Sequence, residues 1–348
     1  MRLELRENVP AFSRLSPILA LLSAFLLCSL LIIWAGESPL NAYWALIKGA
    51  VGSSFAITES LTRATPLIFT GLAAAVAFRA KFWNIGAEGQ LYCGAMMATW
   101  IGTGMINLPP LLMIPTLFIA GAVAGGLMLL LPVLLKTHLK VDEVVTTLLL
   151  NFVVLLFVSL LLEGPWKDPM SMGWPQAEPI IDAGVLPTIV AKSRLHIGFI
   201  IAVCLAVAIW LILKYTVWGY EIRAVGHNPK AAAFFGIPVN SSVFLVAMMS
   251  GGLAGMGGVS EVAGLKGYLT LDISPGFGYT GIAVAMLAQL RPLAVIPAAI
   301  FLASVYVGAD AMSRAVNIPN YIADVLVSVS LLAILVSNML TRYRIIWR

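Results

Sequence analysis

The chain has 348 residues, of which 60% are hydrophobic and only 11% are charged. Soluble globular proteins carry about 45–50% apolar and about 25% charged residues, so this composition excludes a soluble enzyme and indicates a protein whose solvent is lipid. The net charge of +5 does not indicate nucleic-acid binding. The Lys and Arg residues lie in short loops between apolar runs instead of forming a stripe on a polar face.

Apolar runs long enough to cross a bilayer, about 20 residues each, recur along the chain. They predict an all-α polytopic membrane protein, a single transmembrane domain over residues 1–348 with about ten membrane helices. The third, eighth and ninth runs are the weakest, because they begin with polar residues or are short. The predicted runs are 17–35, 59–80, 86–104, 110–135, 142–163, 196–214, 239–262, 276–290, 292–309 and 320–340.

The distribution of basic residues orients these helices. With the N-terminus inside, fourteen of the 21 Lys and Arg residues fall in inner segments and seven in outer segments. Short cytoplasmic loops carry the excess of Lys and Arg, so both termini are predicted to be cytoplasmic. Two outer segments are long: residues 36–58 predict an interfacial helix around 42–47, and residues 164–195, rich in Pro and Trp, predict an ordered cap.

A polar break separates the second and third runs. It contains Asn84, Glu88 and Gln90 beside Gly86 and Gly89. Ionisable residues at membrane depth are costly and by default mark a cavity or pathway, and non-helical backbone is tolerated there only when buried in protein or lining a cavity. The residues alone leave two interpretations open: a broken helix beside a translocation path, or a cytoplasmic hairpin.

Close packing between helices is predicted at two pairs of glycines, Gly121 with Gly125 and Gly251 with Gly255. Small residues at this spacing let helix backbones approach each other. Isolated polar residues within other apolar runs could touch substrate, although interhelical hydrogen bonds are the favoured interpretation. These residues are Glu59, Asn151, Glu261, Asp310 and Asp324.

The longest inner loop, residues 219–237, is also the most polar. Asn228 can cap a short helix that starts at Pro229, and Gly236 can end it. Phe234 and Phe235 would be exposed on this helix, which favours docking into a partner's groove over a solvated connector. Further on, residues 266–280 contain Pro275, Gly276 and Gly278 and predict an outer re-entrant stretch.

No residue pattern predicts catalysis or metal binding. The chain has no phosphate-binding glycine-rich loop ending in Lys-Ser or Lys-Thr, so ATP hydrolysis by this chain itself is not expected. The three histidines, His138, His196 and His227, have no carboxylate or cysteine at ligand spacing.

Four segments, in the expected order, resemble motifs of permease subunits of bacterial ATP-binding-cassette (ABC) importers. The branch is that of simple-sugar and nucleoside permeases, related to the branched-chain amino-acid and ribose permeases. The segments are Phe82–Gln90, Val141–Leu148 with Asn151, Arg223–Ala232 and Gly281–Ala285. Trp83, inserted between Phe82 and Asn84, departs from the commonest form of the first motif and bears on the substrate wall.

The resemblance implies a bacterial inner-membrane importer for a nucleoside or related simple sugar. Its expected partners are cytoplasmic ATPase subunits, which bind the ATP and Mg²⁺, a second and shorter permease, and an extracytoplasmic substrate-binding protein; no cofactor and no nucleic acid polymer are expected on this chain. The expected pathway residues are Trp83, Asn84, Glu88, Gln90, Phe277 and Tyr279. The expected ATPase-coupling residues are Arg223, Ala224, Gly226, Asn228, Pro229, Ala231, Phe234 and Gly236.

Two other functions compete with this one. An ion-coupled secondary transporter of a small polar solute would need a carboxylate or broken-helix ion site and no docking loop. A structural or signalling membrane protein would not need the cluster of broken, glycine-rich polar segments. The sequence leaves open the exact substrate and whether the pore contains one or two kinds of permease.

Overall fold

A computed structural model describes residues 2–5, 16–106, 108–316, 321, 324–325, 328–329, 332–333, 336–337 and 343–346. These residues group into two compact units. One consists of the two ends of the chain, up to Ser60 and from Phe301, and the other is Leu61–Ile300.

The regular secondary structure of the described residues consists of helices and two four-residue strands. The strands β1 (Arg2–Leu5) and β2 (Tyr343–Ile346) pair antiparallel, with Arg2 opposite Ile346. The helices are α1 Ser16–Trp34, α2 Pro39–Val51, α3 Ser54–Arg79, α4 Ala87–Trp100, α5 Pro110–Met128, α6 Leu130–Leu139, α7 Glu143–Glu163, α8 Gly198–Tyr215, α9 Val217–His227, α10 Pro229–Phe234, α11 Val239–Glu261, α12 Phe277–Leu287 and α13 Pro292–Val316. Short π-helical turns follow α4 and α11, at Ile101–Met105 and Val262–Lys266, and Asp182–Gly184 forms a 3-10 turn.

The chain is a multi-pass helical membrane protein, but the predicted count of ten spans is not supported. Among the described residues, six helices are long and apolar enough to cross a membrane. A seventh span results if the pair Leu22–Trp34 and Pro39–Val51, bent by 115°, counts as one. The third and eighth predicted runs form helices of only 14 and 11 residues, α4 and α12. The last predicted run, 320–340, lies mostly outside the described residues.

The core of the larger unit is built where α4, α5 and α11 pack backbone against backbone. A Cβ atom on Gly125 would lie 2.2 Å from the carbonyl oxygen of Gly251, and one on Gly255 would lie 2.2 Å from that of Gly121. Gly94 of α4 approaches the Gly255 carbonyl in the same way, at 1.9 Å. Any side chain at these positions would separate the helices. The predicted role of the two glycine pairs in helix packing is confirmed.

The segment between α7 and α8 is tied to the chain that follows α11. The Ala177 N–H donates to the Leu269 carbonyl at 3.0 Å, and the Leu186 N–H donates to the Ala263 carbonyl at 2.8 Å. The predicted ordered cap is therefore held by backbone hydrogen bonds, although it contains no long helix. Within the smaller unit, the predicted helix around 42–47 is confirmed as α2, whose Tyr43 hydroxyl donates to the Phe25 carbonyl of α1.

Candidate functional site

The polar break predicted from the sequence is present between α3 and α4, where residues 80–86 leave the helical conformation. Their backbone groups bond to side chains at the start of α7. The Trp83 N–H donates to Glu143 Oε1 at 3.2 Å, and the Ile85 N–H donates to Thr147 Oγ1 at 3.2 Å. Lys136 forms an ion pair with the same Glu143 carboxylate. Protein side chains therefore satisfy backbone N–H groups of the break, which is how non-helical backbone is tolerated in a membrane protein.

Asn151, one turn further along α7, links the break to α12. Its Oδ1 accepts from the Gly89 N–H at 2.9 Å, while its Nδ2 donates to the Ile85 carbonyl at 3.0 Å and to the Tyr279 hydroxyl at 3.1 Å. Asn151 is fully buried. The favoured interpretation of this residue, an interhelical hydrogen bond, is confirmed.

Asn84 and Gln90 form a reciprocal amide pair inside the break. Each donates from its amide nitrogen to the other's amide oxygen at 2.9 Å. Asn84 also accepts from the Gly86 N–H and donates to the Ser250 hydroxyl of α11, both at 2.9 Å. Both side chains are fully buried. The hydrogen-bonding capacity of Asn84 is therefore used within the protein, and its amide is a brace for the break.

Glu88 lies where the first turns of two helices meet. Its Oε2 accepts from the Gly278 N–H at 2.6 Å, at the start of α12. A Cβ on Gly278 would lie 2.2 Å from the Glu88 nitrogen, so α12 rests directly on the first turn of α4. The Ser274 hydroxyl caps the same end of α12, accepting from the Phe277 N–H at 2.9 Å. A carboxylate is favourable there because the N-terminus of a helix is its positive end.

The six predicted pathway residues thus come together around the starts of α4 and α12, but they differ in exposure. Trp83 and Tyr279 are 41% and 40% exposed, whereas Phe277 is 9% and Glu88 only 3% exposed. The Trp83 ring packs on Phe78, with 4.9 Å between ring centroids. Trp83 of the break and Tyr279 of α12 are therefore accessible, whereas Asn84, Gln90 and Glu88 are buried.

The predicted short helix in the 219–237 segment is confirmed as α10. The Asn228 Oδ1 accepts from the N–H groups of Lys230 and Ala231, at 3.0 and 3.2 Å, and Pro229 is the first helical residue. The helix ends before Gly236, whose φ of +82° is one that favours glycine. Phe234 and Phe235 are 85% and 79% exposed.

The other predicted coupling residues are not all on this exposed surface. Asn228, Pro229 and Ala231 are exposed, Arg223 and Ala224 are half-buried, and Gly226 is buried. A Cβ on Gly226 would lie 1.8 Å from the Arg79 carbonyl oxygen, so α9 packs directly on the end of α3. Arg223 donates to the Leu213 carbonyl of α8. Gly226 is thus a packing residue between α9 and α3.

Sequence reasoning missed three residues that complete the site, Glu143, Thr147 and Ser250. The first two, with Asn151, recur every four residues and so share one face of α7. This periodic polar stripe on an apolar helix was a signal that could have identified them. Ser250 had no such signal, because its partners are Asn84 and, at 2.8 Å, the Ala73 carbonyl.

Comparisons with known proteins identify the family. Residues 56–335 match the model described as branched-chain amino acid transport system / permease component. A glucose ABC transporter permease of Haloferax volcanii is 31% identical over 99% of this chain and 93% of its own length. A guanosine ABC transporter permease of Bacillus subtilis is 32% identical, covering 91% of this chain and 92% of its own.

A nucleoside ABC transporter permease of Lactococcus lactis is 32% identical over 86% of this chain and 85% of its own length. Bacillus subtilis also has a second guanosine permease, 27% identical over 71% of this chain. No solved structure matches the chain. Matching over most of its length, the chain belongs to the branched-chain amino acid transport system permease family, as an ABC transporter permease.

Proposed function

We propose that this chain is one pore-forming subunit of an ABC importer that carries a nucleoside, or a related simple sugar, across the bacterial inner membrane. The observation that carries the proposal is the break at the starts of α4 and α12, where Trp83 and Tyr279 are exposed while Asn84, Glu88 and Gln90 are buried. A nucleoside has an apolar base face and polar ribose hydroxyls. Aromatic side chains suit the first, and a polar layer suits the second.

The roles within the predicted pathway divide by exposure. Trp83 and Tyr279 are the residues that we expect to touch the passing substrate, with Phe277 beside them. Glu88 joins α4 to α12 through the Gly278 N–H, and Asn84 and Gln90 brace the break. A neutral substrate requires no counter-charge, which fits a carboxylate that is already bound to a helix terminus.

The chain is proposed to drive transport through a partner and to perform no catalysis itself. ATP and Mg²⁺ bind the cytoplasmic ATPase, and the chain needs no cofactor of its own. The exposed pair Phe234 and Phe235 on α10 supports docking into a groove of that ATPase, because two adjacent aromatic side chains would otherwise remain in water. We name residues 219–237 the coupling segment.

A second, different permease is the proposed partner in the pore. The support is that Bacillus subtilis has two guanosine permeases, and the two differ in their identity to this chain, 32% and 27%. An extracytoplasmic substrate-binding protein, a lipoprotein or periplasmic protein, is proposed to deliver the substrate. The antiparallel pairing of β1 with β2 supports placing both termini on one side of the membrane, which we propose is the cytoplasm.

Uptake measurements in cells test this function. A strain lacking the gene, complemented with the wild-type gene, is given radiolabelled guanosine or radiolabelled glucose. We expect complementation to restore uptake of one of them, and inactivation of the partner ATPase by substitution of its phosphate-binding lysine to abolish it. Uptake that persists without ATP hydrolysis and collapses with the ion gradient would instead identify an ion-coupled secondary transporter.

A further inference from the structure

Four basic side chains line one cavity of about 360 Å³ at the end of the larger unit where α3 and α8 finish and α13 begins. They are Arg79, Lys214, Arg223 and Arg291. A volume of this size is within the range of about 300–1,000 Å³ that is typical of small-molecule sites. The cavity does not include α10 or any of the six pathway residues, and of the coupling residues it contains only Arg223.

The contacts of three of these cations are made with backbone carbonyls and an aromatic ring. Arg79 Nε donates to the Leu290 carbonyl at 2.9 Å, and Arg223 donates to the Leu213 carbonyl. Lys214 Nζ lies 5.0 Å from the Trp210 ring centroid, a cation–π contact. Within the ranges that the structure describes, none of the four basic residues forms an ion pair.

A bound anion would reduce the mutual repulsion of these like charges. Arg223 and Arg291 are both near enough to repel Arg79 electrostatically. Like charges in a partly desolvated site repel more strongly than in water. The first turn of α13, at Pro292 and Leu293, adds the positive end of a 25-residue helix to the same cavity. An anion bound in the cavity would be attracted by all of these charges.

The surroundings of the cavity indicate an anion attached to an apolar body. Leu293 lines the cavity and is 39% exposed, and Tyr215, whose ring centroid lies 4.9 Å from Lys214 Nζ, is 67% exposed. Trp210 lines the cavity itself. Trp and Tyr are enriched at the level of the lipid headgroups, and exposed leucines on membrane helices contact acyl chains. A soluble anion would use none of these apolar side chains.

We propose that this cavity binds the headgroup phosphate of an anionic phospholipid of the cytoplasmic leaflet, with the acyl chains lying along α8 and α13. Basic pockets between membrane helices on the cytoplasmic side are suited to such headgroups. Arg223 lies on α9, which is followed directly by α10. The bound lipid would therefore contact the coupling segment at Arg223.

Lipid-dependent thermal stability of the full-length protein in a neutral detergent tests the proposal. Phosphatidylglycerol, phosphatidylcholine and inorganic phosphate are titrated separately into the wild-type protein. We expect phosphatidylglycerol alone to raise the Tm saturably. In the double variant Lys214→Gln/Arg291→Gln, the phosphatidylglycerol concentration for half of the effect should rise by roughly tenfold or more, since each basic residue near a membrane surface contributes measurably to binding. Both residues are exposed, so the fold should survive the change.

Two further variants make the result decisive. The double variant Lys140→Gln/Lys192→Gln also removes two positive charges, but from exposed positions outside the cavity. It should respond to phosphatidylglycerol like the wild type. Lys214→Arg/Arg291→Lys keeps the charge and should retain most of the response. An equal Tm increase from phosphatidylcholine or from inorganic phosphate would overturn the assignment to an anionic lipid. An unchanged phosphatidylglycerol response in the Lys214→Gln/Arg291→Gln variant would overturn the assignment to this cavity.

Discussion

At the scale of single residues, the buried polar side chains of the break differ in what they hold. The Asn84 amide bonds to Gly86, Gln90 and Ser250, and so joins the break to α11. Glu88 bonds to the Gly278 N–H and so joins α4 to α12. Removing a buried partner leaves the other group unsatisfied, at about 1–3 kcal/mol for each group. Substitutions at these residues are therefore expected to reduce transport by weakening the connections between helices.

Substitution of Glu88 tests whether its hydrogen bond from α4 to α12 is needed for transport. In Glu88→Gln an amide oxygen can still accept from the Gly278 N–H, whereas Glu88→Leu leaves that N–H buried without a partner. We expect Glu88→Gln to retain part of the nucleoside uptake and Glu88→Leu to lose nearly all of it, at matched membrane expression. Wild-type uptake by Glu88→Leu would remove Glu88 from the site. Glu163→Leu, at the exposed end of α7, is the control.

A second residue-scale prediction concerns His196, which is fully buried just before α8. Its Nδ1 accepts from the Gly198 N–H at 3.2 Å, and burial lowers the pKa of its imidazole to about 4. Between pH 6.5 and pH 4 the unfolded chain would take up a proton that the folded protein excludes. Stability should therefore fall by as much as roughly 3 kcal/mol as the pH drops through this window, and be independent of this group above pH 6.5.

The measurement is the Tm of the purified protein from pH 7.5 to pH 4.5. His196→Gln should flatten the dependence, because a glutamine does not titrate. His227→Gln, at an exposed position, should leave it as in the wild type. A wild-type pH profile in His196→Gln would assign the effect to other groups.

At the scale of elements, the coupling segment separates a buried packing helix from an exposed docking helix. Gly226 of α9 touches the Arg79 carbonyl, whereas Ala231 of α10 is exposed beside Asn228. We expect Gly226→Ala to lower the Tm, because its Cβ would need the helices to move apart. Ala231→Glu should leave the Tm unchanged and abolish uptake and substrate-stimulated ATPase activity in the assembled transporter.

The control for Ala231→Glu is Ala191→Glu, the same change at an exposed residue of the segment between α7 and α8. It should transport normally. If Ala231→Glu also transports normally, α10 is a solvated connector and the ATPase binds elsewhere.

The sequence alone was sufficient to predict where the break and α10 lie, because both depend on local chemistry. Polar residues and glycines interrupt an apolar run at 82–90. In the second segment, Asn228 is the helix cap, Pro229 is the first helical residue and Gly236 follows the end of the helix. It did not predict the partner of the break, since Trp83 and Glu143 are 60 residues apart. The sequence also did not predict that Gly226 is buried, because its burial depends on the approach of α3.

At the scale of the whole molecule, polar contacts collect at two groups of loops within the larger unit. One group contains the break, the end of α6 and α9: Lys136 Nζ lies 3.5 Å from the Lys81 carbonyl, and Lys81 Nζ lies 3.5 Å from that of His227. The other contains the segment between α7 and α8, bonded to the residues after α11. The predicted count of ten spans is not supported because the runs 86–104 and 276–290 were counted as spans, whereas α4 and α12 have only 14 and 11 residues.

Site-directed labelling tests the corresponding topology. Lys140→Cys, Lys230→Cys, Lys167→Cys and Lys192→Cys are made singly in a chain whose three native cysteines are replaced by serine, and intact cells are treated with a membrane-impermeant maleimide. We expect labelling at 167 and 192 only, and labelling at 140 and 230 only after the membrane is permeabilised. Labelling of 230 in intact cells would reverse the topology and the proposed cytoplasmic docking.

The dependence of the break on α7 also constrains the order in which the protein can be assembled during synthesis. The partners of Trp83 and Gly89 are encoded 60 and 62 residues downstream. At about 5–20 residues per second, α7 is completed several seconds after the break leaves the ribosome. Lipid offers no substitute hydrogen bonds in that interval. Until then only water or other protein can satisfy these N–H groups, so we expect the break to reach its final conformation only after α7 has been made.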